Sequence, residues 1–95
     1  MSAYAIGQLT IQNKDWMEEY NQHIGTVIQR HQGKVIAKSQ PELLEGNQTL
    51  PHVTIVIEFP DSERANSWYQ DPENQRLVRL RQTGSSFFLQ LVQAV

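Results

Sequence analysis

The stretch "HVTIVIEFPDSERANSWYQDPENQRLVRLRQ", His52 to Gln82, decides the fold. It opens with a strand. Five of the seven residues of "VTIVIEF", Val53–Phe59, are β-branched, which suits a pleated, half-buried surface. Pro60 ends the strand because it has no N–H to give to a ladder. Asp61 then stands as an N-cap for "SERANSWY", and Glu63 lies in the positive first turn. Asp71 repeats the device, with Pro72 at a first helical position that needs no N–H. The prediction is a strand, then a helical region broken at Gln70–Asp71 that runs to Thr83 and stops at Gly84.

Outward from this stretch the same signals recur. "AYAIGQLTI", Ala3–Ile11, reads as a strand ended by Asn13–Lys14. In "DWMEEYNQHIGTVIQRHQG", Trp16, Tyr20, Ile24, Val27, Ile28 and His31 recur at helical spacing, and Gly33 is the expected left-handed stop. "KVIAKSQ" is a second strand, interrupted by Pro41, and "LLEGNQTLP" is a connection with turn chemistry at Gly46–Asn47. "SFFLQLVQ" is the last strand. The order strand, helix, strand, strand, helix, strand is the split βαβ, ferredoxin-like plan of an α+β protein. Right-handed crossovers put both helices on one face of the sheet.

The alternation in the strands carries a further message. Val53, Ile55, Ile57 and Phe59 point one way, and Val56 points the other way with Thr54 and Glu58. Phe87, Leu89 and Leu91 share one face, Phe88 and Val92 the other. In the first strand Tyr4 and Ile6 oppose Ala3, Ala5, Leu9 and Ile11. Helices on one side need only one apolar face. A second apolar face left in water is a patch beyond what a small monomer carries. A second copy of the sheet is the simplest cover, so the sequence predicts a homodimer stacked through the open face.

Composition bounds the function classes. Ninety-five residues, 39% apolar and 19% charged, predict one domain over residues 1–95. A net charge of −2 gives no general attraction to nucleic acid or to an anionic membrane. Arg76, Arg79 and Arg81 read as solvated cations at a helix C-terminus, not as an RNA surface. There is no cysteine, hence no disulfide or thiolate chemistry. The start lacks a basic segment followed by a long apolar run, and no stretch reaches bilayer-spanning length, so a cytoplasmic location is expected. His23, His31 and His52 show no metal-ligand spacing. No nucleotide, dinucleotide or serine-hydrolase motif is present. The expectation is no metal and no cofactor.

Several short motifs, in order, make the chain resemble the domain-of-unknown-function 1330 family of the dimeric α+β barrel superfamily. They are Tyr4, Tyr20, Gly33, "LEG" at Leu44–Gly46, "IEFP" at Ile57–Pro60, "WY" at Trp68–Tyr69, "DPE" at Asp71–Glu73 and "LR" at Leu80–Arg81. Asn74, Gln40–Pro41 and Ser85–Ser86 depart from the pattern. The resemblance implies a ferredoxin-like homodimer closing into a barrel, with the usual pocket between helices and sheet.

The residues that could serve such a pocket are few. Trp68 and Tyr69 follow Ala65 at helical spacing, so all three can face the sheet, as core or as a ligand-stacking surface. Tyr20 and Trp16 carry the same two readings. Glu58 lies in an apolar strand, where a carboxylate ends at a rim, pairs with a cation, or has a raised pKa. Arg81 on the inner helix stripe is its possible partner, as a structural ion pair or as an acid–base couple. Glu45 in "LEG" is a solvated or functional turn carboxylate. The candidate ligand-binding residues are therefore Tyr20, Trp68, Tyr69 and Arg81. The candidate catalytic residues are Glu58, Arg81 and Glu45. Three functions follow in order of preference. The first is a homodimeric small-molecule-binding protein. The second, by superfamily analogy, is a cofactor-independent monooxygenase or isomerase. The third is a structural or interaction dimer.

Overall fold

The structure is a computed structural model that describes residues 1–95. The elements follow the predicted order: β1 (Ala3–Ile11), α1 (Met17–Arg30), β2 (Lys34–Ser39), β3 (Val53–Phe59), α2 (Ser62–Gln70), α3 (Pro72–Gln82) and β4 (Ser85–Gln93). The strands form one antiparallel sheet in the order β2-β3-β1-β4. Ala5 of β1 and Ile57 and Phe59 of β3 meet Val27 and Ile28 of α1, Ala65 and Trp68 of α2 and Leu77 of α3 in the core. All three helices therefore cover one face.

Both predicted caps are present. Asp61 accepts from the Arg64 amide at 2.8 Å and Asp71 from the Glu73 amide at 2.9 Å. Because Asp71 takes that amide, the Tyr69 carbonyl loses its usual helical donor. Buried Asn74 donates to it at 3.2 Å and Gln75 at 2.6 Å. Asn74 thus closes the break between α2 and α3.

The end of α1 departs from the prediction. The left-handed residue is Gln32, at φ 62, and not Gly33. Gly33 donates to the Ile28 carbonyl at 2.9 Å. A Cβ there would lie 2.6 Å from Phe59 Cε1 and 2.7 Å from Ile28 Cγ2. Glycine is required at this position for close approach, and its neighbour absorbs the backbone turn.

β2 also breaks simple alternation. Lys34 pairs with Glu58 and Val35 with Ile57, but Ala37 pairs with Val56 and Lys38 with Ile55. Ile36 is the extra residue of a bulge. Without it Lys38 would share a face with Lys34; with it Lys38 moves to the helix-covered face beside Val35.

The face away from the helices is apolar, as the alternation predicts. Ile6 stands opposite Val56, and Tyr4 opposite Val92. Phe88 is 59% exposed and Val92 43%.

Candidate functional site

Helix α1 is tied sideways to α3. Arg30 reaches Asp71 at 3.0 Å and Glu73 at 2.8 Å, His31 Nε2 meets Asp71 Oδ2 at 2.8 Å, and Arg76 meets Glu19 at 2.7 Å. The hydrogen bond from His31 holds the Asp71 carboxyl down at about 2, and those from the Glu73 amide and Arg30 act with it against the opposing effect of burial. The Arg30 guanidinium is shifted upward, chiefly by its hydrogen bond to Glu73 and then by that to Asp71.

These bonds leave a cavity of about 290 Å³ between α1 and the sheet. Its roof is the inner stripe of α1, including Tyr20, Ile24 and Gly25. Its floor comes from Val35, Ile55 and Phe87 of three strands. Gly25 is an exposed residue of the lining, and a Cβ there would meet nothing within 4 Å.

Trp68 and Arg81 complete the lining, and both are buried. The Arg81 guanidinium lies 4.0 Å from the centre of the Phe87 ring, and its Nη1 donates to the Tyr20 hydroxyl at 3.2 Å. The Phe87 ring sits where it does because Gly7, across the strand pair, has no side chain. A Cβ on Gly7 would come 2.3 Å from Phe87 Cζ. Trp16 donates its indole N–H to the Asn13 carbonyl at 2.8 Å and meets Tyr20 edge to face at 5.3 Å. Trp68 Nε1 and Arg81 Nε are buried and have no partner. Lys38, brought round by the bulge, stands on the same lining. Neither Arg81 nor Lys38 forms an ion pair. No Asp or Glu lines the cavity. Chemically, the space has a largely apolar wall and two unpaired cations, Arg81 and Lys38.

The structure brings Tyr20, Trp68 and Arg81 together at this cavity. It separates the other candidates from it. Tyr69, 40% exposed, lies outside this cavity: it borders a separate groove with Arg81 and Phe88, and a shallow pocket with Trp68 beside Leu89 and Leu91 of β4. Glu58 lies on the opposite face, in register with Tyr4 and Lys34, and so cannot pair with Arg81. Glu45 is exposed in the β2–β3 connection. Lys38 and Gly25 are lining residues that the sequence reading missed. The bulge concealed Lys38. Gly25 falls one turn from Asn21 on the inner stripe, and that spacing was open to recognition.

The motif order and this architecture meet in one comparison: the model of a single family, described as "Domain of unknown function (DUF1330)", matches residues 2–95. The chain belongs to the DUF1330 family. Solved structures share its fold. A protein of unknown function from Rhodopseudomonas palustris, RPA0582, superposes with a TM-score of 0.82 at 18% identity, over 99% of this chain and 82% of that one. SnoaB from Streptomyces nogalater, a cofactor-independent oxygenase, gives 0.70 at 12% identity, over 99% and 93%. A dimeric ferredoxin-like protein of unknown function from Jannaschia sp. CCS1 gives 0.67 at 8% identity, over 99% and 100%. No curated protein matches the sequence. At these identities the likeness concerns the fold, and the fold of this chain is ferredoxin-like.

Proposed function

We propose that this DUF1330 protein is a homodimer that binds a small molecule in the cavity beneath α1. One observation carries the reading: a space of about 290 Å³ remains between helix and sheet, lined mostly by apolar side chains together with buried Trp68 and Arg81. A preformed apolar pocket with a few converging polar groups is the usual form of a ligand site. Tyr20, Trp68 and Arg81 are the contact residues in this proposal, and Tyr69 is outside it. The open sheet face supports the dimer, as does the dimeric state named for the Jannaschia protein.

A fragment screen read by protein-observed NMR tests the ligand site. Fragments that bind should move the signals of Tyr20, Ile24 and Trp68 together. If no fragment moves them, the protein is left as a structural dimer whose polar interior only fixes geometry.

A second reading, a cofactor-independent oxygenase, is favoured by the fold likeness to SnoaB. In that case the same cavity would hold the substrate and Arg81 would orient it. Glu58 and Glu45 would take no part, because both lie away from the cavity. Oxygen-uptake assays with flat phenolic compounds test this. Arg81→Met should lower any turnover at least about ten-fold, the scale of a lost charged hydrogen bond. Glu58→Gln should leave it unchanged. A turnover abolished by Glu58→Gln would remove the cavity from the chemistry.

A further inference from the structure

We infer that the ligand of this cavity is a small flat acid of about two rings, whose anionic group is drawn by the unpaired cations Arg81 and Lys38. The inference rests on the ligand-binding reading above and adds the charge, shape and size of the ligand.

The charge follows from the cations on the lining. A guanidinium only donates, and Arg81 spends Nη1 on the Tyr20 hydroxyl. Neither Arg81 nor Lys38 has a carboxylate partner, so the complementary ligand brings negative charge. A guanidinium is a permanent cation in proteins. That of Arg81 is buried, it has no carboxylate partner, and its compensation is limited to the neutral Tyr20 hydroxyl at 3.2 Å and the face of Phe87 at 4.0 Å. A ring face offers a buried cation only part of what a counter-anion would. Lys38 adds a second unpaired cation to the same lining, and the β2 bulge is what carries it there. A charged hydrogen bond from a buried arginine to an anionic oxygen is among the stronger polar contacts available to a protein.

Shape and size follow from the walls. Trp16, Tyr20, Trp68 and Phe87 all contribute aromatic surface to the lining. Such surfaces favour a flat, offset-stacked or edge-on guest. A closed apolar cavity of roughly 150 Å³ accommodates one benzene. A volume of about 290 Å³ is close to twice that, so the guest is bicyclic in scale and not polycyclic.

The test uses naphthoate and naphthamide, which share one ring system and differ in charge. Isothermal titration calorimetry at neutral pH should show naphthoate binding at least about ten-fold more tightly than naphthamide, the scale of one charged hydrogen bond. Arg81→Met should erase that preference while naphthamide still binds. Lys38→Gln should weaken naphthoate several-fold and leave naphthamide unaffected. Lys38 is exposed, so this variant carries the test if Arg81→Met does not fold. Its effect should shrink as salt is added. Equal affinity for acid and amide in the wild-type protein would overturn the assignment of charge and leave the cavity as a ligand site. Failure of both compounds to bind would overturn the charge assignment and the ligand-binding reading together.

Discussion

Asp71 joins α1 to α3 with both of its oxygens. Oδ2 meets His31 and Arg30, and Oδ1 accepts from the Glu73 amide. Its carboxyl is held at about 2, below its ordinary 3.8, by the His31 hydrogen bond first, and by the Glu73 amide and Arg30. A carboxyl whose pKa falls on folding contributes stability that is complete above the ordinary value and disappears as pH drops through the folded one. The window is therefore about pH 4 down to about pH 2, and the contribution is on the order of 2 kcal/mol. Asp71→Asn keeps the amide cap and removes the charge. Urea unfolding across that window should show the wild type losing about 2 kcal/mol more than the variant; parallel curves would mean the charge adds no stability. Gly7 supports the site from below. Gly7→Ala should cost about 1–3 kcal/mol by overpacking against Phe87, and it should displace the ring on which Arg81 rests, visible as shifted Phe87 and Arg81 side-chain NMR signals. An unchanged melting temperature would show that the Phe87 ring gives way freely. At this scale the sequence was only partly legible. Alternation along β3 already sets Glu58 opposite Ile57 and Phe59, on the face without helices, so a pair with Arg81 was out of reach. By contrast, the empty Nε of Arg81 depends on where α1, α3 and β4 converge, and no local pattern encodes that.

Among the elements, α1 and β2 shape the cavity. α1 holds Gly25 in mid-helix, where a Cβ would meet open space. Glycine at an interior helical position costs roughly 0.5–1 kcal/mol relative to alanine. Gly25→Ala should therefore raise stability by about that much in chemical denaturation. Gly25→Leu places a larger side chain in the same space. It should leave the far-UV circular dichroism spectrum intact and weaken fragment binding at least about ten-fold. Undiminished binding to Gly25→Leu would move the ligand out from beneath α1. The helix, the caps at Asp61 and Asp71 and the strand faces could all be read in the sequence, because each is set by residues within a few positions of one another. The bulge in β2 could not. "KVIAKS" scans equally well as regular alternation, and only pairing with β3 decides that Ile36 is the extra residue. That single slip hid Lys38 from the candidate site. The C-terminus of α1 misled for a related reason: Gly33 carries the signature of a left-handed stop, yet the constraint on it is the Phe59 ring, a contact made far along the chain.

At the scale of the whole molecule, the chain is a slab of 35 × 33 × 16 Å, one broad side helical and the other bare sheet. Its accessible surface is 6367 Å² for 11.0 kDa. A compact monomer of that mass exposes roughly 5,600 Å². The excess, about 750 Å², is close to the roughly 800 Å² that one partner buries in a standard protein–protein interface. Much of the apolar share lies on the open face, where Tyr4, Ile6 and Val56 are flanked by Phe88, 59% exposed, and Val92, 43% exposed. The polar groups in the middle of the face, Gln8, Thr54 and Gln90, are uncharged, and the charged pair Glu58 and Lys34 stands opposite each other in register beside Tyr4. In the proposed homodimer this face is the one that is buried, and stability is then linked to concentration by mass action. Sedimentation velocity at micromolar concentration should give a dimer, and the melting temperature should rise with protein concentration. Val56→Glu combined with Phe88→Glu puts two carboxylates near the middle of each face, and against their symmetry mates in the stacked pair. That variant should sediment as a folded monomer, with unchanged far-UV circular dichroism and a melting temperature independent of concentration. A wild-type protein that sediments as a monomer would leave the open face in water and end the case for a stacked pair.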